Sequence, residues 1–361
     1  MKVNRILRIL DDDPLRTLRR FLSDWWQRME LDAMLAPVEL SDHGGTAPQV
    51  IDRPEDLEKV NPYLPRMLTN SAPLVSTLIK DHPNGRVAVI FRPCELRAHV
   101  ELKKRTRTHA PQSAIPNHQK SPWMIGVDCL GTCSGSEFTR QLNQHSEMEL
   151  VRAGLSYGCQ DGSTPLPVRM ACQMCDAPTP LGADLVIGSL GIAPQGYLMA
   201  IASNEDMDEK LMLAGVTDGM ATAIEVNQRE LAVGKLSERR SGSRSELIHK
   251  RSGQAEDLNS IMAMFVRCTL CADCLDECPL YDGELSGMLG VKEAYQRTDP
   301  FLTEVVGVSR WLASCSGCGM CQEVCEHGVS LTPILITLSH RIQQELNYRP
   351  GDPEQRLPWM T

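Results

Sequence analysis

The sequence has no apolar run approaching the roughly 18 residues that a membrane-spanning helix requires, which argues against a transmembrane protein. It has no excess of positive charge: the formal net charge is −9, with lysine and arginine scattered along the chain. That removes the electrostatic footprint of a nucleic-acid binder. No Ser/His/Asp arrangement, phosphate-binding loop or paired-carboxylate signature is present, so nothing in the chain announces hydrolysis or phosphoryl transfer. The opening MKVNRILRILDDDP starts as a secretory signal would, but its apolar stretch is short and three aspartates follow. The expectation is a cytoplasmic protein with no membrane span and no nucleic-acid partner.

What is abundant is cysteine, with 14 among 361 residues, in a chain whose 42% apolar content suffices for a packed core. Length alone suggests about two domains. Most of the cysteines stand two residues apart, a spacing that suits metal ligation and is poor for ordinary disulfides.

Three zones are legible. Residues 1–235 alternate helical and strand-like patterns. LRTLRRFLSDWWQRMELDAML (15–35) has helical apolar spacing, and 87–91, 124–127, 183–187 and 197–202 are short apolar runs expected to be buried strands. This zone is expected to be an α/β domain with a central sheet. Residues 236–258 are polar, without a sustained apolar face, and fit a linker or a solvated helix. Residues 259–361 contain an internal repeat, expected to form a mainly helical two-cluster ferredoxin domain, with the stretch between Cys278 and Cys315 largely helical.

The repeat is C-x-x-C-x-x-C-x-x-x-C, once from Cys268 to Cys278 and again from Cys315 to Cys325. Three cysteines at two-residue gaps can wrap one [4Fe-4S] cube, whereas the fourth lies too far along; in two-cluster ferredoxins it ligates the other cluster. The expected sets are therefore Cys268, Cys271, Cys274 with Cys325, and Cys315, Cys318, Cys321 with Cys278. Zinc is the competing reading of paired CxxC units, but two complete copies of a run with three CxxC-type steps favour the clusters. Glu326 stands where the second motif would place a proline after its last cysteine. His327 is expected to be a polar neighbour of a cluster, and the basic run Lys103–Arg107 a solvated loop. Of the pair Trp25 and Trp26, one is expected to be buried and one half-exposed.

Upstream lie Cys94, Cys129, Cys133, Cys159, Cys172 and Cys175. Spacing alone leaves Cys172 and Cys175 open as a zinc knuckle, a redox pair or half of a third cluster. Three segments resemble the coenzyme F420 hydrogenase/dehydrogenase β-subunit family: VAVIFRPCELRAHVELKK (87–104), MIGVDCLGTCSG (124–135) and RMACQMCDAPTPLGADLVIGSLG (169–191). The ending ILITLSHRIQQELNYRPGDPEQRLP (334–358) is similar to the closing helix and tail of that family's methanogen formate dehydrogenase branch, which also carries a two-cluster ferredoxin region. The resemblance implies a third [4Fe-4S] cluster on Cys94, Cys129, Cys172 and Cys175, with Cys133 at most a substitute and Cys159 a buried free thiol. It implies FAD beside that cluster, met by the turn Asn70, Ser71, Ala72, Pro73 and the loop residues Gly188, Ser189 and Gly191. It also implies a catalytic partner, a molybdenum or tungsten formate dehydrogenase or a NiFe hydrogenase, and further electron carriers. One departure stands against the flavin: the family's glycine-pair loop is replaced by Asp11-Asp12-Asp13-Pro14, good helix-capping chemistry that would repel a pyrophosphate. A flavin-free relay joining two redox enzymes is the alternative.

Overall fold

The computed structural model describes residues 1–41, 44–109, 121–159, 166–193, 195–252, 263, 265–281 and 300–360. Seven strands form one sheet: β1 (Val3–Arg8), β2 (Ala33–Glu39), β3 (Thr46–Ile51), β4 (Val87–Phe91), β5 (Trp123–Val127), β6 (Leu185–Gly188) and β7 (Tyr197–Ala202), in spatial order β1-β7-β6-β5-β4-β2-β3. β2, β4, β5 and β6 run parallel to their neighbours in that central block, while β3, β7 and β1 pair antiparallel at its two sides. The central strands are buried on both faces, which is why they are continuous apolar runs rather than alternating ones. In β4, Ala88 and Ile90 join the core beneath helix Pro14–Met29, whereas Val87, Val89 and Phe91 face Leu78, Leu96 and Val100 on the other side.

The helix expected over 15–35 is shorter. Asp13 caps its start, accepting the Arg16 N–H at 2.9 Å, with Pro14 as first residue. It ends at Met29 because Glu30 turns left-handed at φ 49°. Asp32 then exchanges hydrogen bonds with Arg86, its N–H donating to the carbonyl at 2.9 Å and its carboxylate accepting the N–H at 2.7 Å. This clip feeds Ala33 into β2 opposite Val87. Both tryptophans are buried, correcting the half-exposed expectation: Trp25 is 0% and Trp26 5% accessible, and Trp25 Nε1–H donates to the Leu211 carbonyl at 2.9 Å. A buried indole needs that partner.

One helix of 30 residues, Ala223–Ser252, runs through position 235, where a domain boundary was expected. The basic run Lys103–Arg107 belongs to helix Pro93–His109 and is not a loop. Lys104 Nζ donates to Glu101 and to Tyr348 Oη, at 2.9 and 2.8 Å. Arg105 Nη1 donates to the Leu280 carbonyl at 2.8 Å. These cations thus hold the C-terminal region against the sheet domain. The fully buried Glu101 carboxylate is their hub, accepting also Tyr348 O–H at 2.7 Å and the Gly351 N–H at 2.9 Å.

The C-terminal region consists of short turns and helices, chiefly Pro300–Ala313 and Leu331–Glu345. The remainder of the segment expected to be helical between Cys278 and Cys315 lies outside the described residues from 282 to 299.

Candidate cluster sites

The carboxyl ends of adjacent parallel strands are where open α/β sheets place their binding loops. β4 ends at Phe91 and leads into Arg92-Pro93-Cys94; β5 ends at Val127 and leads into Asp128-Cys129. Two thiols therefore arrive side by side. The short helix Met170–Gln173 brings Cys172, with Cys175 just beyond it. Cys129 neighbours the other three. Burial pushes the Cys129 thiol up to about 11, with Cys172 and Cys175 adding to the shift. Burial also pushes Cys94 well up, followed by Glu95, Cys129 and Cys318. Cys175 behaves differently: burial would raise it, but Arg97 and Arg240 outweigh that and hold it below the ordinary thiol range. Arg97 Nη2 donates to Cys175 Sγ at 3.4 Å, and the Thr132 N–H donates to Cys172 Sγ at the same distance.

Cys133 is buried beside this group, its N–H tied to the Pro65 carbonyl at 2.7 Å. Its thiol is pushed up to about 11 by burial, then by Glu137 and Cys172. Cys159 ends helix Glu147–Cys159, and its side chain is outside the described residues.

In the C-terminal repeat the two motifs interleave. Burial and then Cys325, Cys268 and Cys271 raise the Cys274 thiol. Cys278 instead feels the other motif: burial, Cys318 and Cys315 bring it up to about 12, although it accepts the Trp311 Nε1–H at 3.3 Å. Cys321 is raised by burial, then by Cys318, Cys315 and Cys278, and finally by Cys274. Cys268 and Cys271 are solvent-exposed. His327 is half-buried, two residues beyond Cys325. The thirteen cysteines with described side chains are free thiols. Among the described residues, no three His, Cys, Asp or Glu side chains converge tightly enough for a single metal ion. A cubane makes a wider demand, since each thiolate must reach a different iron.

The sheet-edge group and the second motif meet directly. Gly319, at φ 73°, lies so close to Ala171 that a Cβ there would stand 2.4 Å from the alanine methyl. Arg169 joins them, donating to the Cys318 carbonyl at 3.3 Å and to Met320 Sδ at 3.4 Å while facing Cys172 and Cys94. Arg66 and Glu323 add an ion pair at 2.8 Å. Sequence reading missed three guanidinium groups here. Arg97 and Arg169 each stand three residues from a cysteine, and Arg240 comes from helix Ala223–Ser252. Burial opposes the charge on each, but the neighbouring thiolates raise all three.

The residues expected to meet a flavin are mostly engaged with the protein. Ser71 donates its N–H and hydroxyl to Glu95, at 3.2 and 2.9 Å, and Asn70 Oδ1 accepts the Ala72 N–H at 3.0 Å. Ala72 and Pro73 enter a short 3₁₀ turn. The Ser189 and Leu190 N–H groups donate to Asp128 Oδ2 at 2.9 and 3.1 Å, and Arg229 pairs with the same carboxylate at 2.7 Å. Arg229 also covers Gly188, and Ala232 abuts Gly191. Asn70 Nδ2 and Ser189 Oγ are buried without a hydrogen-bond partner. Asp11 and Asp12 form an exposed left-handed turn ahead of the capping Asp13.

Comparison with known proteins accords with this arrangement. Residues 84–229 match the family model for the C terminus of the coenzyme F420 hydrogenase/dehydrogenase beta subunit, and residues 264–329 match a 4Fe-4S dicluster domain. The β subunit of an F420-dependent formate dehydrogenase from Methanocaldococcus jannaschii is 23% identical, covering 81% of this chain and 85% of that protein. The equivalent β subunit of F420-dependent formate dehydrogenase 1 from Methanococcus maripaludis is 22% identical over 82% of this chain and 84% of its own length. A chain of the F420-reducing [NiFe] hydrogenase complex from Methanosarcina barkeri shares the fold at a TM-score of 0.52 and 15% identity, covering 72% of this chain and 94% of that one. No helix among the described residues is long and apolar enough to cross a membrane. Over residues 84–229 the chain is thus similar to coenzyme F420 hydrogenase/dehydrogenase β subunits, and a match to a 4Fe-4S dicluster domain follows at 264–329.

Proposed function

We propose that this chain is the iron–sulfur electron-transfer subunit of a cytoplasmic oxidoreductase complex and holds three [4Fe-4S] clusters. The outer site is Cys268, Cys271, Cys274 and Cys325; the middle one is Cys315, Cys318, Cys321 and Cys278; the inner one is Cys94, Cys129, Cys172 and Cys175. One observation carries the reading: the three thiol groups form an unbroken series of neighbours, from Cys274 to Cys321 and from Cys318 to Cys94. Buried guanidinium N–H groups without partners at the inner site suit a bound dianion better than four neutral thiols. Such clusters supply one-electron storage and transfer. The protein's own residues hold the thiolates, leave the inner two groups only partly accessible and keep them adjacent through Gly319 and Ala171.

The primary chemistry belongs to a catalytic partner, for which a molybdenum- or tungsten-dependent formate dehydrogenase or a NiFe hydrogenase is the proposal. The names of the relatives, F420-dependent formate dehydrogenase β subunits, support it. The flavin-free form of this relay is favoured by a specific observation, the closure of the 188–191 loop by Asp128 and Arg229. Iron, acid-labile sulfide, zinc and released flavin on anaerobically purified protein test both points. About twelve irons per chain and no flavin is the expected result; about eight would remove the inner cluster. Stoichiometric flavin would refute the flavin-free form.

A further inference from the structure

The inner thiol group is ringed by cations that converge from three separate elements. Arg97 stands on helix Pro93–His109, Arg169 caps the short helix carrying Cys172, and Arg240 descends from helix Ala223–Ser252. Nε of Arg97, Nε of Arg169 and Nη2 of Arg240 are all buried with no hydrogen-bond partner in the protein. Desolvating such donors is costly unless an anion meets them. The nearby carboxylates are otherwise engaged: Glu95 with the N–H groups of Ser71 and Arg92, Asp176 with Arg244 at 2.7 Å, and Glu323 with Arg66 at 2.8 Å.

Among the described residues no comparable ring surrounds the outer group. The thiols of Cys325, Cys268 and Cys271 are the largest charged influences on Cys274, Arg267 lies against Gly328 at its edge, and the exposed carboxylates Asp273, Asp276 and Glu326 lie in the same turns. The middle group is intermediate, sharing Arg169 through Cys318 and receiving the Trp311 N–H.

We propose that Arg97, Arg169 and Arg240 make the inner site the most easily reduced of the three, with Arg169 also setting the middle one. This rests on the three-cluster reading above. Reduction adds one negative charge to a cluster, and net charge and hydrogen bonds to sulfur set its potential. Burial by itself opposes the added charge. Three guanidinium groups in the same low-dielectric volume outweigh it, because attraction is strengthened there by the same lack of water. The potentials therefore rise from the exposed outer site inward.

The test is an anaerobic potentiometric titration of the full chain with dithionite, followed by electron paramagnetic resonance. Signals are assigned to sites with Cys175→Ser and Cys325→Ser. The inner signal is expected at the highest midpoint. In Arg240→Gln it shifts to lower potential while the outer midpoint stays fixed, and Arg240→Lys recovers most of the shift. In Arg169→Gln the inner and middle midpoints both fall. An inner midpoint at or below the outer one overturns the proposal, as does an unmoved inner midpoint in Arg240→Gln. If a glutamine variant loses its cluster, the order of the wild-type midpoints still decides. An iron content of about eight per chain instead overturns the three-cluster reading itself, a separate failure.

Discussion

The inner and outer cysteine groups have the same chemistry in opposite surroundings. At the outer group, a loop with two left-handed residues, Leu270 at φ 60° and Ala272 at φ 70°, carries exposed thiols at Cys268 and Cys271. Val266 and Leu270 beside them are 82% and 87% accessible. At the inner group, two rigid parallel strands and a short helix converge, and burial is the largest influence on the thiols. One arrangement suits exchange with a partner surface; the other suits holding charge away from water. Ligand spacing alone does not separate these roles. The secondary structure that delivers the ligands does.

The contrast is broken most completely by exchanging the fourth ligands. Cys325→Ser is expected to remove the outer cluster and Cys278→Ser the middle one, each lowering iron by about four per chain; if each fourth cysteine served its own motif, the lost signals would be reversed. A milder version is chelator or oxygen challenge of the wild type. The outer, exposed cluster should be lost first, leaving about eight irons with the inner signal intact, and simultaneous loss of all three signals would contradict the distinction.

Two substitutions probe the attachment between the regions. Glu101→Ala strands Lys104, Tyr348 Oη and the Gly351 N–H, and should destabilise the chain by about 3–5 kcal/mol in chemical denaturation. Arg66→Ala leaves Glu323 unpaired and should cost roughly 1.5–3 kcal/mol, with any effect on midpoints falling on the inner and middle sites before the outer one. A Glu101→Ala protein of wild-type stability would mean that the tail does not anchor the domains.

The effect confined to one pH window lies within the sheet domain. His99 stacks on Phe91 with ring centroids 5.3 Å apart, and burial, then Lys103, lowers its pKa to about 4. Because the folded protein keeps this ring neutral, the unfolded chain binds the proton more readily between the ordinary histidine range and about pH 4. Stability linked to His99 is full above that window and declines as pH falls through it, at up to about 1.4 kcal/mol per pH unit. His99→Asn should flatten that slope in paired denaturation curves; an unchanged slope would place the acid sensitivity elsewhere.

Much of this was legible in the sequence where one residue type dominates a local pattern. The runs at 87–91 and 197–202 coincide with β4 and β7 because both strands are buried and continuous in hydrophobicity. β1 and β3 were missed, being edge strands with mixed polarity, and β2 was partly merged into the preceding helix because MELDAML continues its apolar spacing. Cysteine spacing supplied the ligand sets proposed for the clusters, but the arginines had no local signal. Residues 236–258 read as a linker or a solvated helix, and not as part of the site, for a specific reason. The inward stripe of helix Ala223–Ser252 is Arg229, Leu236, Arg240 and Arg244, spaced as an apolar face would be but mostly charged. Leu236 joins the apolar core, while the three arginines meet Asp128, the thiols and Asp176. Hydropathy therefore cannot reveal that face.

That helix also bears on how the protein matures. During synthesis the strands that deliver Cys94 and Cys129, and then the Cys172–Cys175 pair, all leave the ribosome before Arg240 does. Until the helix closes, the nascent inner thiols lack one of their three cations and remain open on the side it will cover. Delivery of the proposed inner cluster would have a natural window, bounded by completion of the sheet and docking of the helix. A fragment cut at 235 would leave that window permanently open, so the sheet domain and the helix beyond it form a single unit of biogenesis.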